Sequence, residues 1–163
     1  HDSDIYNIYA LFGDSGQPHG SSPLIMPPAY QGNNIFNSNF GGISPQLIDL
    51  NIQSRYDSWL TIGIVDGDID NRLSSISVDF NSWTTDAPLI VTDGALFSLN
   101  PNEKIVNGNE YIIAQLTLPS HLTTTASVNV QGKFKNVDGT PNRESWTERD
   151  IIFHLSNNNN PGH

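Results

Sequence analysis

The chain of 163 residues has no cysteine, a single methionine, and only seven lysines and arginines in total. Each shortage narrows the field. Without cysteine no disulfide framework holds the fold, although an extracellular setting stays open. Against seven cations stand 17 acidic residues, and the resulting net charge of −10 opposes nucleic acid or anionic membrane as a partner. Cations are the more natural company. A spanning helix needs roughly 20 apolar residues in a row, and no such run occurs. The Asn-x-Ser/Thr sequon is missing too, since Asn37-Ser38-Asn39 and Asn81-Ser82-Trp83 both fail it. The five histidines are scattered without a zinc-binding spacing.

Lysine and glutamate are scarce, whereas Asn, Ser, Thr, Gly and Pro abound. That composition favours strands joined by turns over helices. Residues 59–65 read as a buried strand, and 73–80 alternate with Ile76, Val78 and Phe80 inward. Short runs follow at 95–99 and 111–118. In the next strand Ala126, Val128, Val130 and Phe134 alternate against polar residues, with Gly132 as a candidate bulge. Residues 146–155 supply the last strand. Asp-Gly or Asn-Gly pairs at 66, 93, 107 and 138 mark turns. The expected fold is all-β, an antiparallel β-sandwich of immunoglobulin-like or jelly-roll-like type, with a long irregular N-terminal loop region.

Four stretches divide the chain: an N-terminal strand within 1–12, a loop-rich region at 13–55, a sandwich core at 56–155 and a flexible tail at 156–163. The loop region carries Pro18, Pro23, Pro27, Pro28 and Pro45, and its apolar residues Leu24, Met26, Tyr30, Ile35, Phe36 and Phe40 suggest packing on the core. Ser44 and Pro45 suit the start of a short helix at 44–50.

The N-terminal strand is unusual because it is apolar on both faces. With period two, Ile5, Tyr9 and Leu11 point one way, while Tyr6, Ile8, Ala10 and Phe12 point the other. Both faces need a cover, either from the same chain or from a second copy. If a neighbouring copy provides it, Ile5, Tyr6, Ile8, Tyr9, Leu11 and Phe12 form an assembly strand, and the gross gain from their burial is about 10 kcal/mol before ordering costs. Removing residues 1–12 is then expected to leave a folded domain that no longer polymerises.

Candidate chemistry is sparse. Gly13-Asp14-Ser15-Gly16 resembles hydrolase nucleophile motifs, but a trypsin-like order needs its His and Asp upstream, and the lipase type needs an α/β fold. A turn after the first strand is the simpler reading, and no enzyme activity is expected. Asp66, Asp68 and Asp70 alternate as the first ligands of a calcium loop do, with Asp57 or Asp79 available to complete the oxygen set. Asn71 stands where such a loop has glycine, and Ser77 where it ends in an acid, which excludes an EF-hand. Calcium is the one cofactor suggested. Trp83 and Trp146 have polar neighbours and are the candidates for stacking on a sugar, while Trp59 belongs to the core.

The blocks Ser22-Pro23-Leu24-Ile25-Met26-Pro27-Pro28, Tyr56-Asp57-Ser58-Trp59-Leu60-Thr61 and Ala114-Gln115-Leu116-Thr117 resemble a family of secreted β-rich domains from aquatic microorganisms. Within that family the chain is similar to protomers of extracellular helical fibrils, whose subunits are linked through an extended terminal segment. The resemblance implies a structural role and no catalytic residues. The chain starts at His1 and its only methionine is Met26, which fits removal of a signal peptide, or a fragment. The resulting expectation is a secreted, cell-surface or extracellular subunit whose partner is itself, with a carbohydrate-binding module as the alternative and a glycan as its partner.

Overall fold

The computed structural model describes residues 4–16, 20–33 and 38–157. Pro18, Ile35, Phe36 and the tail from 158 onward lie outside the described residues. Among the described residues nine strands are present: β1 (Ala10–Gly13), β2 (Leu24–Met26), β3 (Trp59–Leu60), β4 (Leu73–Ile76), β5 (Leu89–Val91), β6 (Gly94–Ser98), β7 (Ala114–Gln115), β8 (Thr123–Lys135) and β9 (Pro141–Ser156). One short helix, α1 (Pro45–Leu50), starts at Ser44, whose side chain accepts from the Leu47 N–H. The fold is all-β and sandwich-like. Seven strands form a large antiparallel sheet, and β3 with β7 forms a second small one.

The large sheet is organised around β8. Along one edge it pairs with β9 from Thr123↔Ser156 to Lys135↔Pro141. Along the other edge it meets two short strands in succession, β1 at Ala10↔Gln131 and Phe12↔Asn129, then β2 at Ile25↔Ser127. These two act as one interrupted strand. Their outer neighbours repeat the arrangement, because β6 pairs with β1 and β5 with β2, and β4 closes the sheet beside β6. Beyond β1 the chain is bridged at Asp14 to Ser22, just ahead of β2. At the end of β1 the backbones cross so closely that a Cβ on Gly13 would lie 1.8 Å from the Val91 carbonyl oxygen.

Between the layers sit Leu11, Leu24, Met26, Leu60, Ile62, Leu89, Leu96 and Val128, each at most 2% exposed. Alternation in β8 places Ala126, Val128 and Val130 inward as its sequence requires. Leu24, Met26 and Ala29 carry the Pro-rich region into the same core, and Phe40 packs against it.

Several expected strands are shorter. The buried run 59–65 holds a ladder only at Trp59–Leu60, because Gly63 takes a φ of 79° and the Thr61 hydroxyl bonds the Ile64 backbone, turning the chain. Ile76, expected inward, is 60% exposed: Ser77 has a φ of 54°, which ends the alternation. Of 111–118 only Ala114 and Gln115 pair. Gly132 is not a bulge either, since it pairs regularly with Trp146. The irregularities lie between Val128 and Val130, opposite Ile151 and Glu148, and between Lys133 and Lys135. Among the described residues no helix is long and apolar enough to cross a membrane.

Candidate functional site

Residues 4–13 run antiparallel along β8, yet only 10–13 are regular strand. Ile5 bridges Phe134, the Tyr6 N–H donates to Lys133 at 2.8 Å and the Tyr9 N–H to Gln131 at 2.9 Å. On the opposite edge the Ser98 N–H donates to the Tyr9 carbonyl at 2.8 Å. Both backbone edges are thus occupied from Tyr9 onward. Leu11 is fully buried and Ile8 also packs on the core, so the period-two alternation fails between them. Asn7 explains the break. Fully buried, its Nδ2 donates to the carbonyls of Pro101 and Glu103 at 2.9 and 2.7 Å, and its Oδ1 accepts from the Lys133 N–H at 2.9 Å. A Cβ at Gly132 would stand 1.9 Å from the Asn7 carbonyl oxygen and 2.7 Å from the Trp146 ring, so glycine there makes room for the segment.

Three aromatic side chains of the segment are capped by cations. Lys104 Nζ lies 5.9 Å from the Tyr6 ring, Lys133 Nζ 6.0 Å from Tyr9, and the Arg149 guanidinium carbon 5.6 Å from Phe12. These use three of the protein's seven lysines and arginines. Each contact is worth about 0.5–1 kcal/mol at exposed positions, and the aliphatic stems add apolar cover. Cations of the same chain therefore cover the aromatic rings of the segment that the core leaves outward.

Where the chain leaves the sheet, buried polar groups take over from the core. Asp14 and Ser22 exchange backbone hydrogen bonds of 2.9 and 3.1 Å. Asn129, fully buried, donates through Nδ2 to the carbonyls of Phe12 and Ser22 at 2.7 and 2.6 Å, and its Oδ1 accepts from the Asp150 N–H at 2.9 Å. Asp150 has a φ of 57° at the irregularity in β9, and the Ser22 hydroxyl donates to its carboxylate at 3.2 Å. Arg149 donates to Asp14 at 3.2 Å, and the Asp14 carboxylate also accepts from the Gly16 N–H at 3.1 Å. The hydrolase-like motif thus forms a structural turn.

The acidic residues do not converge. Asp68 accepts from the backbone N–H groups of Arg72 and Leu73 at 2.8 and 3.0 Å, and Asp66 from that of Asp68 at 3.0 Å. Positive φ at Asp68 and Asn71, 51° and 52°, completes a turn held by its own carboxylates. Asp70 and Asp79 are exposed. Asp57 is fully buried elsewhere, accepting from the Gly32 and Ser38 N–H groups at 2.8 and 2.6 Å. Burial pushes its carboxyl up from the usual range, against the pull of the Ser38, Gly32 and Ser58 N–H groups. Among the described residues no three His, Asp or Glu side chains are grouped to hold a metal, so Asp57, Asp66, Asp68, Asp70 and Asp79 do not share a site.

The tryptophans are also placed differently from the sugar-stacking expectation. Trp83 is 2% exposed and its indole N–H donates to Pro27 at 2.8 Å, which makes it core. Trp146 is partly buried, donates to Lys133 at 3.1 Å and shares a cleft of about 150 Å³ with Ile5, Tyr6 and Ile8. Two outward aromatics, Tyr30 and Tyr56, 36% and 46% exposed, share a cleft of about 350 Å³ with Gln53, Thr85 and Thr117. Tyr30 was legible only as a packing residue of a Pro-rich loop. Its backbone bonds to Thr117 and Ser58, at 2.9 and 3.1 Å, are tertiary and leave no local signal.

Fold and site together define a β-sandwich-like domain with a clamped N-terminal strand. No protein-family model, curated protein or solved structure matches the chain.

Proposed function

We propose that this domain is a structural subunit of an extracellular filament, joined head to tail when residues 4–13 of one copy enter the slot between β6 and β8 of the next. The observation that carries this reading is the separability of the segment. Its ladder partners lie far along the chain, at residues 94–97 and 129–131, and toward its own β2 it is held by the Asp14–Ser22 bridge. Exchange between copies preserves the Asn7 and Asn129 anchors and the three cationic lids, so the cost falls on opening the Asp14–Ser22 pair. A head-to-tail contact of this kind does not close on itself and grows a filament. The likeness of the Tyr56-Asp57-Ser58-Trp59 block to fibril protomers supports the same role.

Because the chain has no cysteine, a crosslink tests this directly. Ala10 and Gln131 are opposite one another, so Ala10→Cys with Gln131→Cys reports which copy supplies the strand. A covalent ladder on a denaturing gel supports exchange. A product that stays monomeric at every protein concentration sinks it.

A carbohydrate-binding module is the second reading, favoured by the Tyr30–Tyr56 cleft in place of the tryptophans. Binding on a glycan array that Tyr56→Ala abolishes is its test.

A further inference from the structure

The last strand carries two kinds of edge. Among the described residues β9 pairs only with β8, and no second strand lies along its other edge at 151–155. Open edges invite strand addition unless charge, proline or a bulge blocks them. The first part of β9 has all three: Pro141, the charges Arg143, Glu144, Glu148 and Arg149, and the irregularity at Asp150. Residues 151–156, Ile-Ile-Phe-His-Leu-Ser, have none. They pair regularly with β8 from Val128↔Ile151 to Thr123↔Ser156. Ile151 and Leu155 pack on the core, while Phe153, on the same face and opposite Ala126, is 41% exposed. The interlayer space is therefore uncovered at this edge.

We infer that residues 151–156 form a homotypic interface, pairing antiparallel with the same residues of a second copy about a two-fold axis at Phe153. The register supplies the argument for that partner. An axis perpendicular to the sheet keeps like faces together and sets Phe153 against its counterpart, Ile151 against Leu155 and Ile152 against His154. Apolar residues meet apolar residues on the core side, and no like charges are opposed. The same operation centred on Trp146 sets Arg143 against Arg149 and Glu144 against Glu148, which is repulsive. The strand thus accepts a copy of itself in its last six residues and rejects one in the earlier part. This contact closes on itself and involves no exchange of residues 4–13, so it stands independently of the filament reading.

The test uses the full chain oxidised as Ala10→Cys/Gln131→Cys at high dilution, from which the internally crosslinked monomer is purified so that its first strand stays at home, in sedimentation equilibrium. A discrete dimer is expected, with Phe153→Lys raising its dissociation constant by more than about tenfold and Thr147→Lys leaving it unchanged. A monomer at every concentration, open-ended association, or a dimer indifferent to Phe153→Lys overturns the proposal. Amide exchange on the unmodified chain provides a second readout, taken only from the amides of residues 151–155 that point away from β8: their protection should rise with concentration. Protection independent of concentration, as a cover from the same chain would give, or no protection at all, also overturns it.

Discussion

The N-terminal segment and β9 flank the same strand, β8, and both are rich in apolar residues, yet their surroundings differ at every contact. Residues 4–13 lie along β8, are paired on the opposite edge from Tyr9 onward, and have a core beneath Leu11 and cations over Tyr6, Tyr9 and Phe12. Among the described residues β9 has one ladder partner, and Ile152 and Phe153 are 56% and 41% exposed. Apolar content alone does not determine what a strand does at a surface. Position in the sheet and the placing of a few buried amides decide whether it is consumed by the fold or left available.

The comparison breaks most plainly by removing the clamped strand. Deleting residues 1–13 empties the slot between β6 and β8 and is expected to abolish cooperative thermal unfolding, with a synthetic peptide of residues 1–13 restoring it. This reverses the expectation that the truncated domain folds unaided, because the segment lies inside the sheet. A truncated protein that melts cooperatively without peptide defeats the assignment. Next in size is Asn129→Ala, which strips partners from two carbonyls and an N–H at the junction. At about 1–3 kcal/mol for each unsatisfied buried group, a loss near 3 kcal/mol by denaturant titration is expected. A change below about 1 kcal/mol contradicts the anchoring role.

Both amide anchors are indifferent to pH, and Asp57 supplies the contrast. Its folded carboxyl binds a proton more tightly than in the unfolded chain, so its contribution is fully present below the unfolded value near ~3.9 and is lost as pH rises through the raised folded value. Relative to Asp57→Asn, the wild-type protein should therefore gain stability as pH is lowered from about 7 toward about 4. A difference that is flat or of opposite sign rules this out. The smallest effect belongs to the open edge. Ile152→Thr should change monomer stability by no more than about 0.5 kcal/mol, measured at low protein concentration.

Much of the sheet was legible in the chain. The alternation of Ala126, Val128 and Val130 located β8, and the Ser44-Pro45 start located α1. The strands β2 and β5 were harder because three residues are too few to set a period, and Leu24–Met26 lies among prolines. Asn7 and Asn129 were invisible for a different reason. A buried amide shows no hydropathy signal and is recognised only through carbonyls contributed from distant segments. The same limit applies to the second face of the first strand. Its aromatics were evident, but Lys104, Lys133 and Arg149 reach them only in three dimensions.

The notch at Gly132 also acts as an offset key. Only a residue with an amide side chain can satisfy the carbonyls of Pro101 and Glu103 and the Lys133 N–H while its backbone oxygen sits in that notch. A strand slid by two residues would present Ile5 or Tyr9 there, leaving those three groups unmet. The slot therefore fixes the alignment of its strand by the position of a single asparagine.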